Sequence, residues 1–319
     1  MNLIDVTLRD GGHQVDFNWP NKFLSKYFAA ISAVEQLDFI ELGYWSQTEK
    51  SLNRFYNMTP LILEELVDLG LSNKASVMID YHYCSHKISA YRSSVFDQNV
   101  DLVRLCSRRE DISEAVKFGR QLIDELGVKL SLNFFNITNY SKHEIEYCIE
   151  KGKEAGATFL YFADTHGALN LFKERNVYSE YANIINDNDM IAGLHLHDHS
   201  GKAYLNFCIG QEIGFGSFDC SLGGMGKGVG NLRMEHIVDP ILNASMIDML
   251  YEEEILRMQP LIPGLVTAAL SATDYYAVWA EKLDIKPSDL MKLLMDKSPS
   301  ERDIFDKRNL LGSERSSVN

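Results

Sequence analysis

Short apolar segments rich in β-branched and aromatic residues recur at intervals of about 30 residues along most of this 319-residue chain. An interval of that length fits one strand followed by one helix. The eight segments, each predicted to be a strand, span residues 3–7, 39–42, 75–79, 102–105, 128–133, 159–162, 191–195 and 216–221. Strands that alternate with helices in this way form a parallel sheet, because each helix carries the chain back to the start of the next strand.

The stretches between these segments carry helix signals. Thr59-Pro60 is a favourable helix start, and an apolar stripe over residues 112–126 ends at Gly127, as a glycine-capped helix does. Ser141 and Glu144 have the spacing of a capping box at the start of a further helix. The chain therefore alternates strand and helix through its first two thirds.

The segment after the first strand distinguishes the two common parallel folds. Residues 8–13 read Leu-Arg-Asp-Gly-Gly-His and lack the Gly-x-Gly-x-x-Gly loop of a doubly wound open sheet. We therefore predict an α/β fold, a (β/α)8 TIM barrel, over residues 1–250. Residues 251–297 are predicted to form a helical extension packed on the barrel, and residues 298–319 a mobile tail.

Composition limits the partners and the compartment. Lys and Arg total 31 against 45 Asp and Glu, and the formal net charge of −14 argues against nucleic acid or an anionic membrane as partner. The sequence has no N-terminal signal pattern and no apolar run of membrane-spanning length. Its five cysteines include no Cys-x-x-Cys pair and are interpreted as reduced packing residues. We expect a cytoplasmic protein.

Candidate metal ligands lie at the predicted carboxyl ends of strands, where TIM barrels carry their chemistry. His195 and His197 are two residues apart, so in extended backbone both imidazoles face the same side. Asp10 follows the first strand, which adjoins the last strands once the barrel closes. Two imidazoles and a carboxylate suit Mn²⁺, Mg²⁺, Co²⁺ or Zn²⁺ and leave positions open for a substrate. Packed histidines and an ordinary turn at Asp10 are the alternative interpretation.

Three further side chains near these strand ends have chemical interpretations. Arg9 is always cationic and could hold the developing charge of an enolate. Glu41 could fix Arg9, or could form a salt bridge without any chemical role. His13 could act as an acid or base toward a substrate hydroxyl, or could be a solvated loop histidine.

A glycine-rich stretch follows the eighth predicted strand. Residues 223–230 contain five glycines, yet they do not fit a P-loop because Gly226-Lys227 is followed by glycine rather than by Ser or Thr. Such a stretch can cradle phosphate, let backbone pass close to a ligand, or simply form a flexible turn.

Four segments of the chain together resemble the DRE-TIM metallolyase (HMG-CoA lyase-like) superfamily. They are Asp-Val-Thr-Leu-Arg-Asp-Gly at 5–11, Glu41, Gly-Leu-His-Leu-His-Asp at 193–198, and Gly-Met-Gly-Lys-Gly-Val-Gly-Asn at 224–231. The resemblance covers about residues 1–240. Within the superfamily, the Arg-Asp-Gly-Gly-His segment and the glycine loop look most like those of 4-hydroxy-2-oxovalerate aldolases.

The resemblance implies a metal-dependent retro-aldol cleavage of a small 4-hydroxy-2-oxo acid to pyruvate and an aldehyde. It implies a divalent metal, Mn²⁺ first, bound by Asp10, His195, His197 and Asn231. It further implies catalytic roles for Arg9 at the enolate, for Glu41 as its support and for His13 on the 4-hydroxyl. Thr165 stands where relatives contact a substrate carboxylate.

Departures from the family pattern leave alternatives open. HMG-CoA lyases carry a catalytic cysteine in the glycine loop, where this chain has Met225. Residues 251–319 do not match the aldolase region that contacts a partner aldehyde dehydrogenase, so that partner is not supported, whereas a homo-oligomer is left open. A Claisen-type synthase that condenses an acyl-CoA with a 2-oxo acid, like isopropylmalate synthases, is the second hypothesis. A non-catalytic metal- or metabolite-binding relative is the third.

Overall fold

A computed structural model of the chain describes residues 1–47, 53–72 and 74–238. Within these ranges eight parallel strands pair in sequence order, and the last pairs with the first to close a barrel. The strands are β1 (Asn2–Asp5), β2 (Phe39–Tyr44), β3 (Ala75–Asp80), β4 (Val100–Ser107), β5 (Lys129–Phe134), β6 (Phe159–Asp164), β7 (Ile191–Leu196) and β8 (Ser217–Cys220). The predicted TIM barrel and its eight predicted strands are confirmed.

One helix lies between each pair of consecutive strands. The helices are α1 (Asn21–Ile31), α2 (Pro60–Asp68), α3 (Ser94–Asn99), α4 (Ile112–Leu126), α5 (Lys142–Ala155), α6 (Leu171–Asp187) and α7 (Ala203–Glu212). The predicted helix ends are confirmed. The Thr59 side chain accepts a hydrogen bond from the Ile62 backbone amide, and Ser141 forms the capping box with Glu144. Gly127 ends α4 with a left-handed φ of +68°, which a residue with a Cβ adopts at a cost.

Successive residues of each strand alternate between the helix layer and the barrel interior. A separate apolar cluster lies inside the barrel and consists of Ile4, Val6, Phe39, Leu102, Phe159 and Tyr161. Two positions beyond Phe39 and Leu102, toward the carboxyl ends of their strands, the inward residues are Glu41 and Arg104. Because the side-chain period of a strand is two, these charged groups face the interior directly above the apolar layer.

Several predictions for the C-terminal region lie outside the described residues. These are the end of the barrel domain at residue 250, the helical extension over 251–297 and the mobile tail over 298–319. In the ranges that the structure does describe, none of the helices combines the length and the apolar character that crossing a membrane requires.

Candidate functional site

Three predicted metal ligands meet at the carboxyl end of the barrel. Asp10 follows β1, His195 lies near the end of β7, and His197 is just beyond it. All three are buried, and one potential ligand atom from each lies within 4.8 Å of the others. The two Nε2 atoms of His195 and His197 are 3.2 Å apart, and His195 Nε2 is 3.9 Å from Asp10 Oδ2.

The charge state and spacing of these groups fit a divalent metal. Burial, the largest influence, lowers the pKa of His197 well below its usual value and keeps this imidazole neutral. Burial by itself raises the pKa of Asp10, but neighbouring positive charge, that of the Arg9 guanidinium first, outweighs it and lowers the pKa, so this group is a carboxylate. Neighbouring ligands of one ion bound at about 2.1 Å are about 3 Å apart. Asp10, His195 and His197 therefore form a possible divalent-metal site.

Asn231 lies beside this group. Its Nδ2 donates hydrogen bonds to Asp10 Oδ2 at 2.8 Å and to the Met225 carbonyl at 3.1 Å. Its Oδ1 is buried and has no hydrogen-bond partner among the described residues. A backbone bridge between His197 and Asn231 holds the glycine-rich loop against the end of β7. The structure thus offers an unpaired buried amide oxygen next to the three candidate ligands.

The glycine-rich loop approaches Asn231 closely. A Cβ on Gly226 would lie 2.4 Å from Asn231 Nδ2, and a Cβ on Gly230 would lie 2.0 Å from the Gly224 carbonyl oxygen. Gly230 also has a φ of +102°. Gly226 and Gly230 are thus required by crowding within the loop itself, because a side chain at either position would displace its neighbours.

Arg9 lies between two carboxylates. Its Nη1 donates to Asp10 Oδ1 and its Nε donates to Glu41 Oε2, both at 2.6 Å. Burial alone would lower the pKa of Arg9, but Glu41 and Asp10 raise it well above its usual value. Glu41 is fully buried and lies within β2, three residues before the end of that strand. The structure therefore brings Arg9 into direct contact with both Glu41 and the candidate metal ligand Asp10.

Two charged residues that sequence reasoning missed complete this network. Arg104, on β4, donates from Nη2 to Asp219 Oδ2 at 2.7 Å, and its Nη1 is 3.2 Å from Glu41 Oε2. Asp219, on β8, lies 2.8 Å from Nδ1 of His195 through Oδ2. An imidazole that donates from Nδ1 presents the Nε2 lone pair to a metal. Sequence analysis could have found both residues, because each is a charged residue at an inward-facing position of a buried strand.

Together these side chains form a closed circuit of charges. It runs from Asp10 through Arg9, Glu41, Arg104 and Asp219 to His195, and back to Asp10. Three carboxylates and two guanidinium groups leave one net negative charge when the imidazoles are neutral. A divalent cation would change this to one net positive charge, which suits an anionic ligand. We refer to these six residues as the charge circuit.

His13 and Thr165 both follow the carboxyl ends of strands, His13 after β1 and Thr165 after β6. His13 is exposed on the short helical turn Gly11–Gln14, and its ring packs edge-on against Phe17 with centroids 4.9 Å apart. When its ring carries a proton, His13 contributes to the lowered pKa of Asp10. Thr165 follows β6, and its hydroxyl accepts a hydrogen bond at 3.0 Å from the backbone amide of Asn136. His13 is thus on the same turn as Asp10, whereas Thr165 joins the loops after β5 and β6.

Asp5, on β1 below the site, is a buried acid. Its carboxylate accepts hydrogen bonds from the Thr7 backbone amide at 2.8 Å, from the Thr7 hydroxyl at 2.5 Å and from the Tyr27 hydroxyl. Thr7 Oγ1 in turn accepts a hydrogen bond from the Leu222 amide, which joins β1 to the loop after β8. Burial raises the pKa of Asp5 to about 6, although the hydrogen bonds from Thr7 and Tyr27 oppose this rise.

This shift predicts a pH dependence of stability. The pKa of Asp5 in the folded protein is about 6 against 3.8 for the unfolded chain, so folding favours the protonated acid. Its stabilising contribution is complete below about pH 4 and is lost as the pH rises toward about 6. We expect the free energy of unfolding of Asp5→Asn, relative to the unsubstituted protein, to rise by about 3 kcal/mol between about pH 4 and 7. Urea titrations at several pH values measure this difference, and a constant difference would contradict the shift.

Comparisons with known proteins agree with this geometry. The HMGL-like family model matches residues 1–262. The 2-isopropylmalate synthase of Xylella fastidiosa (strain M23) is 25% identical over 252 residues, which cover 74% of this chain and 46% of that protein. The chain thus spans about half the length of the curated relatives it matches.

Solved structures share the fold. The N-terminal domain of a candidate aldolase from Bacteroides vulgatus is similar with a TM-score of 0.74 at 16% identity, covering 96% of this chain and 100% of that one. The HMG-CoA lyase from Brucella melitensis has a TM-score of 0.57 at 13% identity, covering 79% of this chain and 98% of that one. At such identities the likeness concerns the architecture.

Proposed function

The chain belongs to the HMGL-like family of lyases and synthases, and we propose that it is a divalent-metal-dependent lyase that cleaves a 4-hydroxy-2-oxo acid to pyruvate and an aldehyde. The main support is the position of His13 on the same turn as Asp10. Retro-aldol cleavage needs a base that reaches the hydroxyl on the carbon of the bond to be broken, and we assign this role to His13. The likeness to 4-hydroxy-2-oxovalerate aldolases is part of this proposal.

The metal would be held by Asp10, His195 and His197, with Asn231 Oδ1 as a further ligand. When bound, it supplies Lewis-acid stabilisation of negative charge on the 2-oxo group. Mn²⁺ is our first assignment, with Mg²⁺, Co²⁺ or Zn²⁺ as alternatives, because imidazole and carboxylate ligands suit all four. The net positive charge of the loaded charge circuit favours the carboxylate of a 2-oxo acid.

The protein's own residues perform the remaining steps. The His13 imidazole takes the proton of the 4-hydroxyl, and the C3–C4 bond breaks as the new carbonyl of the aldehyde forms. The electron pair of that bond passes to the pyruvate enolate, whose charge Arg9 stabilises while Glu41 holds its guanidinium in place. The proton taken up by His13 then returns to C3, directly or by exchange with water, and gives pyruvate. Thr165 is the proposed contact of the substrate carboxylate.

A Claisen-type synthase is the second candidate, because curated relatives of this chain are 2-isopropylmalate synthases. The same enolate-stabilising groups would then serve a condensation between an acyl-CoA and a 2-oxo acid. The two functions differ in their products, since the lyase releases pyruvate and the synthase releases free CoA thiol.

The test measures both products, pyruvate and free CoA thiol, with the same protein and the same variants. Purified protein with Mn²⁺ is given 4-hydroxy-2-oxo acids, and pyruvate is measured with lactate dehydrogenase and NADH. Free thiol is measured with acyl-CoA and 2-oxo acid pairs. We expect pyruvate release, and we expect His13→Ala to lower kcat by about 10²–10⁴-fold because it removes the acid/base group.

His143→Ala is the matched control, because His143 is an exposed histidine on α5. It should leave pyruvate release unchanged. Thiol release without pyruvate release would overturn the lyase in favour of the synthase. If neither product forms while the metal and 2-oxo acids bind, the third hypothesis, a non-catalytic metabolite-binding relative, replaces both.

A further inference from the structure

Three aromatic side chains form a continuous surface beside the barrel mouth. The ring centroids of Phe17 and Tyr56 are 5.0 Å apart, those of Tyr44 and Tyr56 are 5.0 Å apart, and those of Phe17 and Tyr44 are 6.0 Å apart. These distances are typical of interacting aromatic rings. We call Phe17, Tyr44 and Tyr56 the aromatic wall.

The aromatic wall adjoins the proposed reaction site at both ends. The Arg9 guanidinium carbon lies 6.0 Å from the centroid of the Tyr44 ring. The His13 ring contacts Phe17 edge-on at 4.9 Å. A substrate held between Arg9 and His13 would therefore have the aromatic wall beside it.

The wall remains partly open to a ligand. Phe17 is buried, Tyr44 is half-buried, and Tyr56 keeps 37% of its surface exposed. An aromatic surface of this kind at the mouth of a barrel resembles the linings of small-molecule sites more than a purely structural core. The exposed surface of the aromatic wall is on Tyr56, which can contact a ligand while the buried rings keep their positions.

Unusual backbone holds this surface in place. Asp16 and Phe17 both have left-handed φ angles, of 52° and 54°, which non-glycine residues adopt at a cost. Gly12 makes room for the Phe17 ring, because a Cβ there would lie 2.4 Å from it. Tyr44 is fixed at both backbone groups, since its amide donates to the Phe55 carbonyl and its carbonyl accepts from the Met58 amide, both at 2.8 Å. The ring positions are therefore set before any ligand arrives.

We propose that the aromatic wall is the subsite for the C4 substituent of the substrate, and that this substituent is planar and apolar, such as an aryl group. The inference rests on the proposed function, because it takes His13 as the base. A base must lie within hydrogen-bond reach of the 4-hydroxyl, so the substituent on the same carbon lies close to the His13 ring. Phe17 packs against that ring.

The charges at the wall disfavour other substituents. A planar ring gains contact area and favourable ring geometry against Phe17 and Tyr56. An anionic substituent would compete with the enolate for Arg9, the guanidinium beside the wall, which Asp10 and Glu41 flank. The released aldehyde therefore belongs to the aromatic or bulky apolar class rather than to the short aliphatic aldehydes.

Binding of uncleavable analogues tests this subsite. The probes are 2-oxo-4-phenylbutanoate and 2-oxopentanoate, which carry phenyl and methyl on C4 and lack the hydroxyl needed for cleavage. Isothermal titration of the Mn²⁺-loaded protein should give a Kd about tenfold lower for the phenyl compound. Tyr56→Ala should remove most of that preference, because it deletes the open edge of the wall.

Tyr204→Ala is the matched control, because Tyr204 is an exposed tyrosine on α7 that contacts Phe207 and His236 instead. It should keep the tenfold preference. Equal affinities for the two probes, or a preference that survives Tyr56→Ala, would overturn the subsite. These binding results test the subsite alone, whereas the proposed lyase function is tested by pyruvate release. A preference that depends on Tyr56, without any pyruvate release, would keep the subsite and refute the lyase.

Discussion

Arg104→Met is expected to lower the free energy of unfolding by about 3–5 kcal/mol, because it removes one partner from buried ion pairs. The Arg104 guanidinium is fully buried between Asp219 and Glu41, and it also lies 4.4 Å from the centroid of the Tyr161 ring. Methionine fills a similar space without charge, so two buried carboxylates lose a cation. Urea unfolding followed by circular dichroism at neutral pH measures the change.

An exposed arginine serves as the control, because it separates the loss of a buried cation from the loss of any cation. Arg120, on α4, pairs with Asp124 while more than half of each side chain is exposed. Arg120→Met should therefore leave stability almost unchanged, since exposed ion pairs contribute little. Arg104→Lys should fall between the two, because an ammonium keeps the charge but loses the planar fork that contacts two carboxylates. Equal stabilities of Arg104→Met and Arg120→Met would contradict the role assigned to the charge circuit.

Replacing both candidate metal-binding histidines should have the largest effect on activity. His195→Ala/His197→Ala removes two of the three clustered ligands and leaves Asp10 with only the amide oxygen of Asn231 as a further proposed ligand. We expect metal content to fall from about one Mn²⁺ per chain to near zero, because one carboxylate and one amide oxygen do not retain a divalent ion against water. Pyruvate release should fall by about 10³-fold or more, since Lewis-acid stabilisation contributes several kcal/mol.

Elemental analysis of dialysed protein gives the metal content, and a pyruvate assay gives the rate. His82→Ala/His86→Ala is the control, because both histidines are exposed on the loop after β3. It should retain metal and rate. Stoichiometric metal in His195→Ala/His197→Ala would refute the assignment of these ligands, whatever the rate.

Much of the fold could be predicted because it depends on local patterns. Buried parallel strands are short apolar runs, and each βα unit repeats at a nearly constant interval. Helix ends were equally predictable at Ser141 and Gly127, because capping bonds and left-handed backbone join residues close in sequence. The positions of Asp10, His195 and His197 at strand ends follow from the same counting.

The rest of the site depends on contacts between distant strands. Arg104 and Asp219 are 115 residues apart in sequence and meet only because the barrel closes. In the sequence, each of the two residues is a single charge in an apolar segment. The local sequence pattern does not show which distant residue will form the ion pair with it. The position of Phe17 depends on two successive left-handed residues that carry side chains, and nothing in their identity predicts that backbone.

The closed charge circuit divides between the two halves of the barrel. The half from β1 to β4 contributes Arg9, Asp10, Glu41 and Arg104, whereas the half from β5 to β8 contributes His195 and Asp219. If the chain were cut between β4 and β5, neither fragment would contain all three candidate metal ligands, Asp10, His195 and His197. Binding of a divalent ion by Asp10 and the two histidines would then require that the two fragments reassociate. Metal binding at the proposed centre would therefore measure closure of the barrel.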